Sequence, residues 1–550
     1  MNADSMIKFQ MYSDQYYDYV NKFVKSDYED CKILGKFYTN FAVAETMAAD
    51  LLSHFIVPND AKTIKIIDPF CGDGRLIHIL LIQMACCENL KNLAIETVLW
   101  DVDEKAVLRA KSSLEKMCKE LLPNVSVRTA TADTFVIYAS EVETFDICIT
   151  NPPWGLLKPQ KIFNNRCTQS EIEDYKKAIS LYDDFIRSEF SLSQPTKKFG
   201  RWGSNLGRTG VEVALRLVKK TGLCGVVSPS SLFNDQVSVP LRQWIFEEHK
   251  ILELAYYPAE MKLFGSADVS SIAAVFGNGK TTYSFKTKFY NTKGEYEVKH
   301  LTIQEFEYIK RNQYSLPLET GYNTIGILQH LENYPTVEEI CKVNNLHFSR
   351  ELDETRLNEK LVSRGNILFV KGYMVNRYAF KPEGLFVNED KVVVPQSVTK
   401  WKIVWRDVSR STQKRRMMAT ILAPGCIAGN SLGVIYANNE KDLNILYVLL
   451  AVMNSMVFEF QARSQLVSNH VAAGIIKQIH IPNLKVTPKL YELVQQQLNG
   501  SDFNAKLEAI VAKMYGVTLA QFMAIAENFN YERKELYNIQ REAEIIYGEV

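Results

Sequence analysis

Between residues 63 and 152, short β-branched runs alternate with helical stretches, and this alternation constrains the fold more than any other feature of the chain. Strands separated by helices cannot pair as hairpins. They line up in parallel, and the helices cover the faces of the sheet, which gives a doubly wound α/β architecture. The pattern predicts strands over 64–67, 95–102, 125–131 and 145–150, with helices over 76–87 and 103–121. Further strands at 224–227, 251–257 and 271–276 continue the sheet, with a helix over 239–249 between the first two.

With 550 residues, 47% hydrophobic and 23% charged, the chain has room for two or three domains. A formal charge of +1 supplies no global basic field, so contact with nucleic acid must come from local patches. Ten cysteines without a CxxC pair, including Cys86-Cys87 in an apolar helical stretch, argue against a metal or disulfide framework and for reduced, buried thiols in the cytoplasm. Residues 1–30, rich in Tyr, Lys and Asp, lack the apolar core of a secretory signal. The longest apolar run, 443–458, is broken by Asn444, Asn454 and Ser455. It falls short of the roughly 18–20 residues of a membrane span and reads as a core helix. Beyond Tyr322 the composition shifts to strand-and-turn segments with clustered Trp, Tyr, Arg and Lys, followed by long helices from Asp442 and from Pro488, as expected of a separate domain.

The chemistry gathers at the strand ends. Asp68-Pro69-Phe70-Cys71-Gly72-Asp73-Gly74 follows the first strand and opens a helix, so backbone amides can approach a ligand while acids accept from it. A tight turn or a dinucleotide site would use similar glycines. The acidic start repels a pyrophosphate and favours a cationic, zwitterionic ligand such as S-adenosylmethionine. Asp101, followed by Val102, stands where such folds set an acid against ribose hydroxyls. Asp133, followed by Thr134, can accept from an adenine amino group. Each acid alone reads as a cap or turn residue, but their succession at consecutive strand ends is harder to assign to turns. The fourth strand runs into Asn151-Pro152-Pro153-Trp154, which could be a mere strand-ending turn. Two prolines instead make it a rigid loop, offering the Asn151 and Pro152 oxygens as fixed acceptors and an indole as a stacking face.

These words in this order resemble the adenine-specific DNA methyltransferases of type II restriction-modification systems, of the gamma class and the TaqI-type branch. The resemblance implies a Rossmann-like S-adenosylmethionine-dependent methyltransferase sheet with a C-terminal mixed α+β target-recognition domain. It implies an N-terminal extension over 1–34, a catalytic domain over 35–320 with an insertion at about 155–210, and recognition over 321–550. Gly35-Lys36-Phe37-Tyr38-Thr39-Asn40 is similar to the class's leading cofactor motif, which gives Thr39 a place over the methionine end of the cofactor. The segment 263–270 resembles the motif whose aromatic residue meets the flipped base, so Phe264 joins Trp154 as a stacking candidate, with a core phenylalanine as the plainer alternative. The expected cofactor set is Thr39, Asp68, Pro69, Cys71, Gly72, Gly74, Asp101, Val102, Asp133, Thr134 and Asn151; the catalytic set is Asn151 through Trp154, with no metal.

An aromatic amine is a poor nucleophile because its lone pair is delocalised, and two acceptors on its hydrogens favour the pyramidal nitrogen of the transition state. The base must be flipped out of the duplex to reach them. Lys402, Arg406, Arg410, Lys414, Arg415 and Arg416, with Trp401 and Trp405 interleaved and Asp407 the one acid, form the expected phosphate-binding stretch, a solvated basic face being the alternative. The basic, glycine-punctuated 197–208 is a second candidate for DNA contact. Residues 372–378, Met453-Asn454-Ser455 and Ile481-Pro482 resemble recurring pieces of target-recognition domains. The expected partners are double-stranded DNA and, functionally, a cognate restriction endonuclease; no membrane is expected, and the chain is expected to be a monomer. Cytosine N4, RNA or a protein glutamine as the substrate, or a non-catalytic specificity subunit, remain the alternatives.

Overall fold

The computed structural model describes residues 3–24, 33, 35–59, 61–90, 93–160, 165–194, 203–265, 269–279, 281–353, 360–410, 413–439, 442–466, 469–484 and 487–548. Positions 197–202 of the second basic stretch and 266–268 of the segment after Phe264 lie outside them. The chain divides into two compact units, Met1–Ser315 and Leu316–Val550.

The first unit opens with α1 (Ala3–Phe23) and α2 (Phe41–His54), then alternates β1 (Thr63–Asp68), α3 (Arg75–Ala85), β2 (Ala94–Asp101), α4 (Glu104–Leu121) and β3 (Val125–Thr131). The short α5 (Thr134–Ile137), β4 (Phe145–Thr150), α6 (Gln169–Glu189), α7 (Leu206–Leu217), β5 (Val218–Pro229), α8 (Val239–Glu248) and β6 (His249–Tyr257) follow. A hairpin strand β7 (Ser271–Asn278), then β8 (Lys286–Tyr290) and β9 (Tyr296–His300), complete a nine-stranded sheet in the order β3-β2-β1-β4-β5-β7-β6-β8-β9. All six residues of β4 are buried at the centre, whereas the edge strand β3 has no buried residue. Burial on both faces suits the apolar Ile147-Cys148-Ile149 centre of β4, since helices cover the middle of a parallel sheet, while the buried Asp146 pairs with Lys219 at 2.7 Å.

The sheet is parallel from β3 to β5, as the alternation predicts. β7 departs from it, pairing antiparallel with both β5 and β6. Among the described residues only a single 3-10 turn, Ala259–Met261, lies between β6 and β7, too short for a crossover, so the chain returns antiparallel. The order reverses between β1 and β4, which opens a crevice at their carboxyl ends.

The second unit contains an antiparallel sheet of Leu346–Ser349, Leu432–Ala437, Lys402–Arg406 and Ala419–Leu422, in that spatial order, together with smaller sheets and helices. The apolar run at 443–458 is not one core helix: Leu443–Met453 and Met456–Gln465 meet at a 63° bend. Asn454 makes the break. Its buried amide is spent on both backbone groups of Ala419, and Ser455 caps the next helix. Among the described residues no single helix is long and apolar enough to cross a membrane, although this bent pair matches by length and composition. Cys86 is exposed and Cys87 and Cys167 half-buried, which corrects the expectation of uniformly buried thiols.

Candidate functional site

A cavity of about 900 Å³, counted to its open mouth, fills the crevice at the switch point. Of the expected cofactor residues, Thr39, Asp68, Cys71, Gly72, Asp101, Val102, Asp133, Thr134 and Asn151 line it. Pro69 and Gly74 stand behind it and shape it. The Pro69 carbonyl accepts from the Thr134 hydroxyl, and Gly74, at φ +77°, starts α3 where a Cβ would lie 2.8 Å from Ala110. Cys71 is buried, and its thiol is pushed up by burial and then by Asp68 and Asp101, which suits packing rather than reaction.

The acids divide the labour. Asp68 is 1% exposed and takes Thr150 Oγ1 at 2.7 Å and Phe70 N at 3.1 Å. Burial, with Asp101 and Asp73 adding repulsion, pushes its carboxyl up to about 7. Asp101 accepts Gly72 N at 2.8 Å and Asp103 N at 3.0 Å, and burial raises it too. Asp133 caps α5 through Phe135 N and is raised by burial. Asp103 caps α4; burial works against its charge, but Lys36 at 3.1 Å outweighs it and the carboxyl is lowered. Several desolvated carboxylates around one cavity favour a cationic guest, which relieves their mutual repulsion.

Asn151, directly after β4, supplies the sharpest geometry. Its Nδ2 donates to Phe37 O at 2.8 Å and to Thr39 Oγ1 at 3.1 Å. Phe37 O can only accept, so the amide orientation is set, and Oδ1 is left buried with no hydrogen-bond partner. An unsatisfied buried acceptor costs about 1–3 kcal/mol, a cost that a donor-bearing ligand removes. The segment before Thr39 is held against the proline-rich loop after β4: Trp154 N donates to Gly35 O at 3.0 Å. Gly35 adopts φ +67°, and a Cβ there would come within 2.5 Å of the Trp154 carbonyl carbon, so only glycine fits.

Of the proline-rich loop, Asn151 and Pro153 line the cavity, while Pro152 packs toward Gly210 of α7. Trp154 is half-buried, its ring 5.5 Å from Phe37 and 4.5 Å from Phe264 at tilts of 41° and 51°. Phe264 corrects the expectation for it. At 3% exposure it belongs to the sheet's apolar core, and its ring backs Trp154 instead of facing it across a base-sized gap. Sequence reasoning missed Tyr17 of α1, which lines the cavity, and Ser13 of α1 and Tyr182 of α6, which bond Asp133. No local motif marks a helix that packs on residues more than a hundred positions away.

The basic stretch of the second unit is largely a correction. Lys402 is fully buried against Glu351 at 2.6 Å. Arg415 is enclosed by Glu459 at 2.7 Å and Glu508 at 2.6 Å, and Arg416 is 2% exposed. Arg406 spends its guanidinium on the carbonyls of Gly372 and Val375, and Lys414 pairs with Glu535 at 2.6 Å. Arg410 is exposed. Lys402 lies in a strand buried on both faces from Lys402 to Trp405, and the surplus of cations in the local sequence hides acids brought in from afar. Arg377, from the segment 372–378, reaches Asn454 O at 2.9 Å and Glu508 at 2.7 Å, so that segment meets Met453-Asn454-Ser455 in one network, which among the described residues does not include Ile481-Pro482.

No family model matches the chain. Among curated proteins it is similar to the type II methyltransferase M.VspI of Vibrio sp. (strain 343), 30% identical over 128 residues, which is 23% of this chain and 27% of the relative. It is also similar to the type II methyltransferase M.BanIII of Aneurinibacillus aneurinilyticus, 25% identical over 260 residues, 45% of this chain and 39% of the relative. The chain therefore spans less than half the length of either relative. Among solved structures, the type IIL restriction-modification enzyme MmeI in complex with DNA aligns at a TM-score of 0.47 and 11% identity, over 92% of this chain and 72% of that one. The similarity visible in the sequence is thus to type II methyltransferases, over the part of their length that this chain covers.

Proposed function

We propose that the chain is a site-specific DNA methyltransferase that uses S-adenosylmethionine to methylate the exocyclic N6 amine of a flipped adenine in double-stranded DNA. In this reading it is of the gamma class, acts in the cytoplasm and protects DNA from a cognate restriction endonuclease. The observation that carries the reading is the buried, unpartnered Asn151 Oδ1, oriented by Phe37 and Thr39 beside a cavity lined with desolvated carboxylates. Similarity to type II methyltransferases supports it.

The residues present fit the cofactor: Asp68 and its neighbours suit a cationic amino-acid end, Asp101 the ribose, and Asp133 the base. When bound, S-adenosylmethionine supplies an electrophilic methyl group. The chain's part is to hold the acceptor amine. Asn151 Oδ1 takes one amine hydrogen and the Pro152 carbonyl the other, and both bonds strengthen as positive charge grows on nitrogen. Trp154, its ring 5.5 Å from Phe37 and 4.5 Å from Phe264, is the candidate stacking face. Arg410 is the exposed member of the basic stretch left to meet phosphate.

The test is to incubate the protein with labelled cofactor and unmethylated DNA and then sequence for modified bases. N6-methyladenine in one sequence context is expected. Modified cytosine would move the substrate to N4, since the loop serves either exocyclic amine. No modified base in any context, from protein that binds the cofactor, would overturn the DNA substrate.

A further inference from the structure

The N-terminal helix reaches into the cavity through Asp133. Ser13 Oγ and the Tyr182 hydroxyl both donate to Asp133 Oδ2, at 2.7 and 2.6 Å, and Phe135 N donates to Oδ1 at 3.0 Å. A carboxylate oxygen accepts two hydrogen bonds, so Oδ2 is saturated and one acceptor position remains, on Oδ1. Ser13, Tyr182 and Asp133 are 1%, 0% and 4% exposed, so water does not compete for these bonds.

The Tyr182 ring is stacked between Phe9 and Tyr16 of α1, at 5.7 and 5.3 Å between centroids, which keeps its hydroxyl aimed at Asp133. Tyr17, four residues after Ser13 and so on the same helix face, lines the cavity in the field of both Asp133 and Asp101. Burial raises the Asp133 carboxyl, and the two hydroxyl donors on Oδ2 work against that rise, toward the charged, acceptor-only carboxylate. Remove them, and Oδ2 can carry a proton and become a donor in its turn. The difference decides what Asp133 can read: a carboxylate welcomes an amine N–H and repels a carbonyl, whereas a carboxylic acid can serve either.

We propose that Ser13 and Tyr182 are positioning residues that hold Asp133 as an acceptor-only reader of the cofactor's base, so that the cavity selects a 6-aminopurine over a 6-oxopurine. The inference rests on the reading of the cavity as an S-adenosylmethionine site. It makes α1 a part of that site and not an appendage to the sheet.

The test is calorimetric titration of the full chain with S-adenosylhomocysteine and, separately, S-inosylhomocysteine, which differ at the 6-position of the purine. The unsubstituted protein is expected to prefer the adenosyl ligand by about a hundredfold or more, as sites built around a polar group reject the mismatched analogue. Tyr182→Phe, which keeps the ring stack, and Ser13→Ala are each expected to shrink that ratio about tenfold, the size of one charge-assisted hydrogen bond. A ratio is unaffected by loss of folded material, so it separates positioning from stability. An unchanged ratio in both variants, or equal weakening of both ligands, overturns the proposal. Equal affinity of the unsubstituted protein for both ligands overturns the selectivity but leaves the cavity reading standing; binding of neither overturns both.

Discussion

Asp68 in the first unit and Glu459 in the second are 1% and 0% exposed, yet their carboxyls move in opposite directions. Burial pushes Asp68 up to about 7, with further acids nearby. Burial works against the charge of Glu459 as well, but Arg415 and Arg463 reverse it and hold the carboxyl below its usual value. Desolvation alone favours the neutral acid, and a cation within hydrogen-bond distance overrides it. The second unit therefore settles its charges internally, as structure. The first unit leaves raised acids and an orphaned amide oxygen around a cavity, where a ligand can complete them.

The strongest way to break this comparison is at Asn151. Asn151→Ala is expected to lower the methyl-transfer rate by about a thousandfold, the upper range for losing one preorganised transition-state partner. Cofactor affinity should change by no more than about tenfold, because the amide oxygen's partner is the target amine, in a bond that strengthens in the transition state. Single-turnover kinetics beside S-adenosylhomocysteine titration would read both, and parallel losses in rate and affinity would assign Asn151 to binding alone.

Next in size is the internal settlement itself. Arg415→Met removes the cation shared by Glu459 and Glu508, leaving Arg463 and Arg377 as their remaining partners, and is expected to cost about 3 kcal/mol, the low end for a broken buried pair, in urea unfolding of the second unit. Adding Glu459→Gln should recover part of that loss.

A smaller effect concerns Asp68 and pH. Its folded value is raised above that of an unfolded carboxyl, so the folded chain holds the proton longer, and the associated stability is present at low pH and lost as pH rises toward 7. A cationic ligand needs the ionised form. Its affinity is therefore expected to fall by up to about tenfold per pH unit below 7 and to level off above it. Asp68→Asn should flatten that profile while weakening binding, and a profile unchanged by the substitution would remove Asp68 from the ligand's partners.

The smallest effect is expected at the surface. Arg410→Ala should weaken DNA binding a few-fold and reduce the slope of log affinity against log salt by about 1, which a salt titration of binding measures. A larger effect from Lys402→Met than from Arg410→Ala on that slope, at equal stability, would show that burial does not sort these cations.

Much of the first unit was legible because its signals are local. The strands at 125–131 and 145–150 match the observed elements, most others shift by one or two residues at their ends, and the strand expected at 224–227 is the much longer Val218–Pro229. Less was legible where a partner comes from far along the chain. Six cations between Lys402 and Arg416 looked like a phosphate-binding face because Glu351, Glu459, Glu508 and Glu535 stand outside that window. Phe264 carried an aromatic signal but not its burial.

By itself, the sequence determined the alternation of strand and helix, and with it the placing of Asp68, Asp101, Asp133 and Asn151 at the carboxyl ends of parallel strands, because backbone period and strand polarity act over a few residues. Only the tertiary structure decided that Asn151 Oδ1 is left without a donor, that β7 slots antiparallel between β5 and β6, and that α1 delivers Ser13 to a carboxylate 120 positions away. It also decided which charges are desolvated and which are paired. Desolvation depends on everything packed around a group, and no stretch of sequence contains its own surroundings.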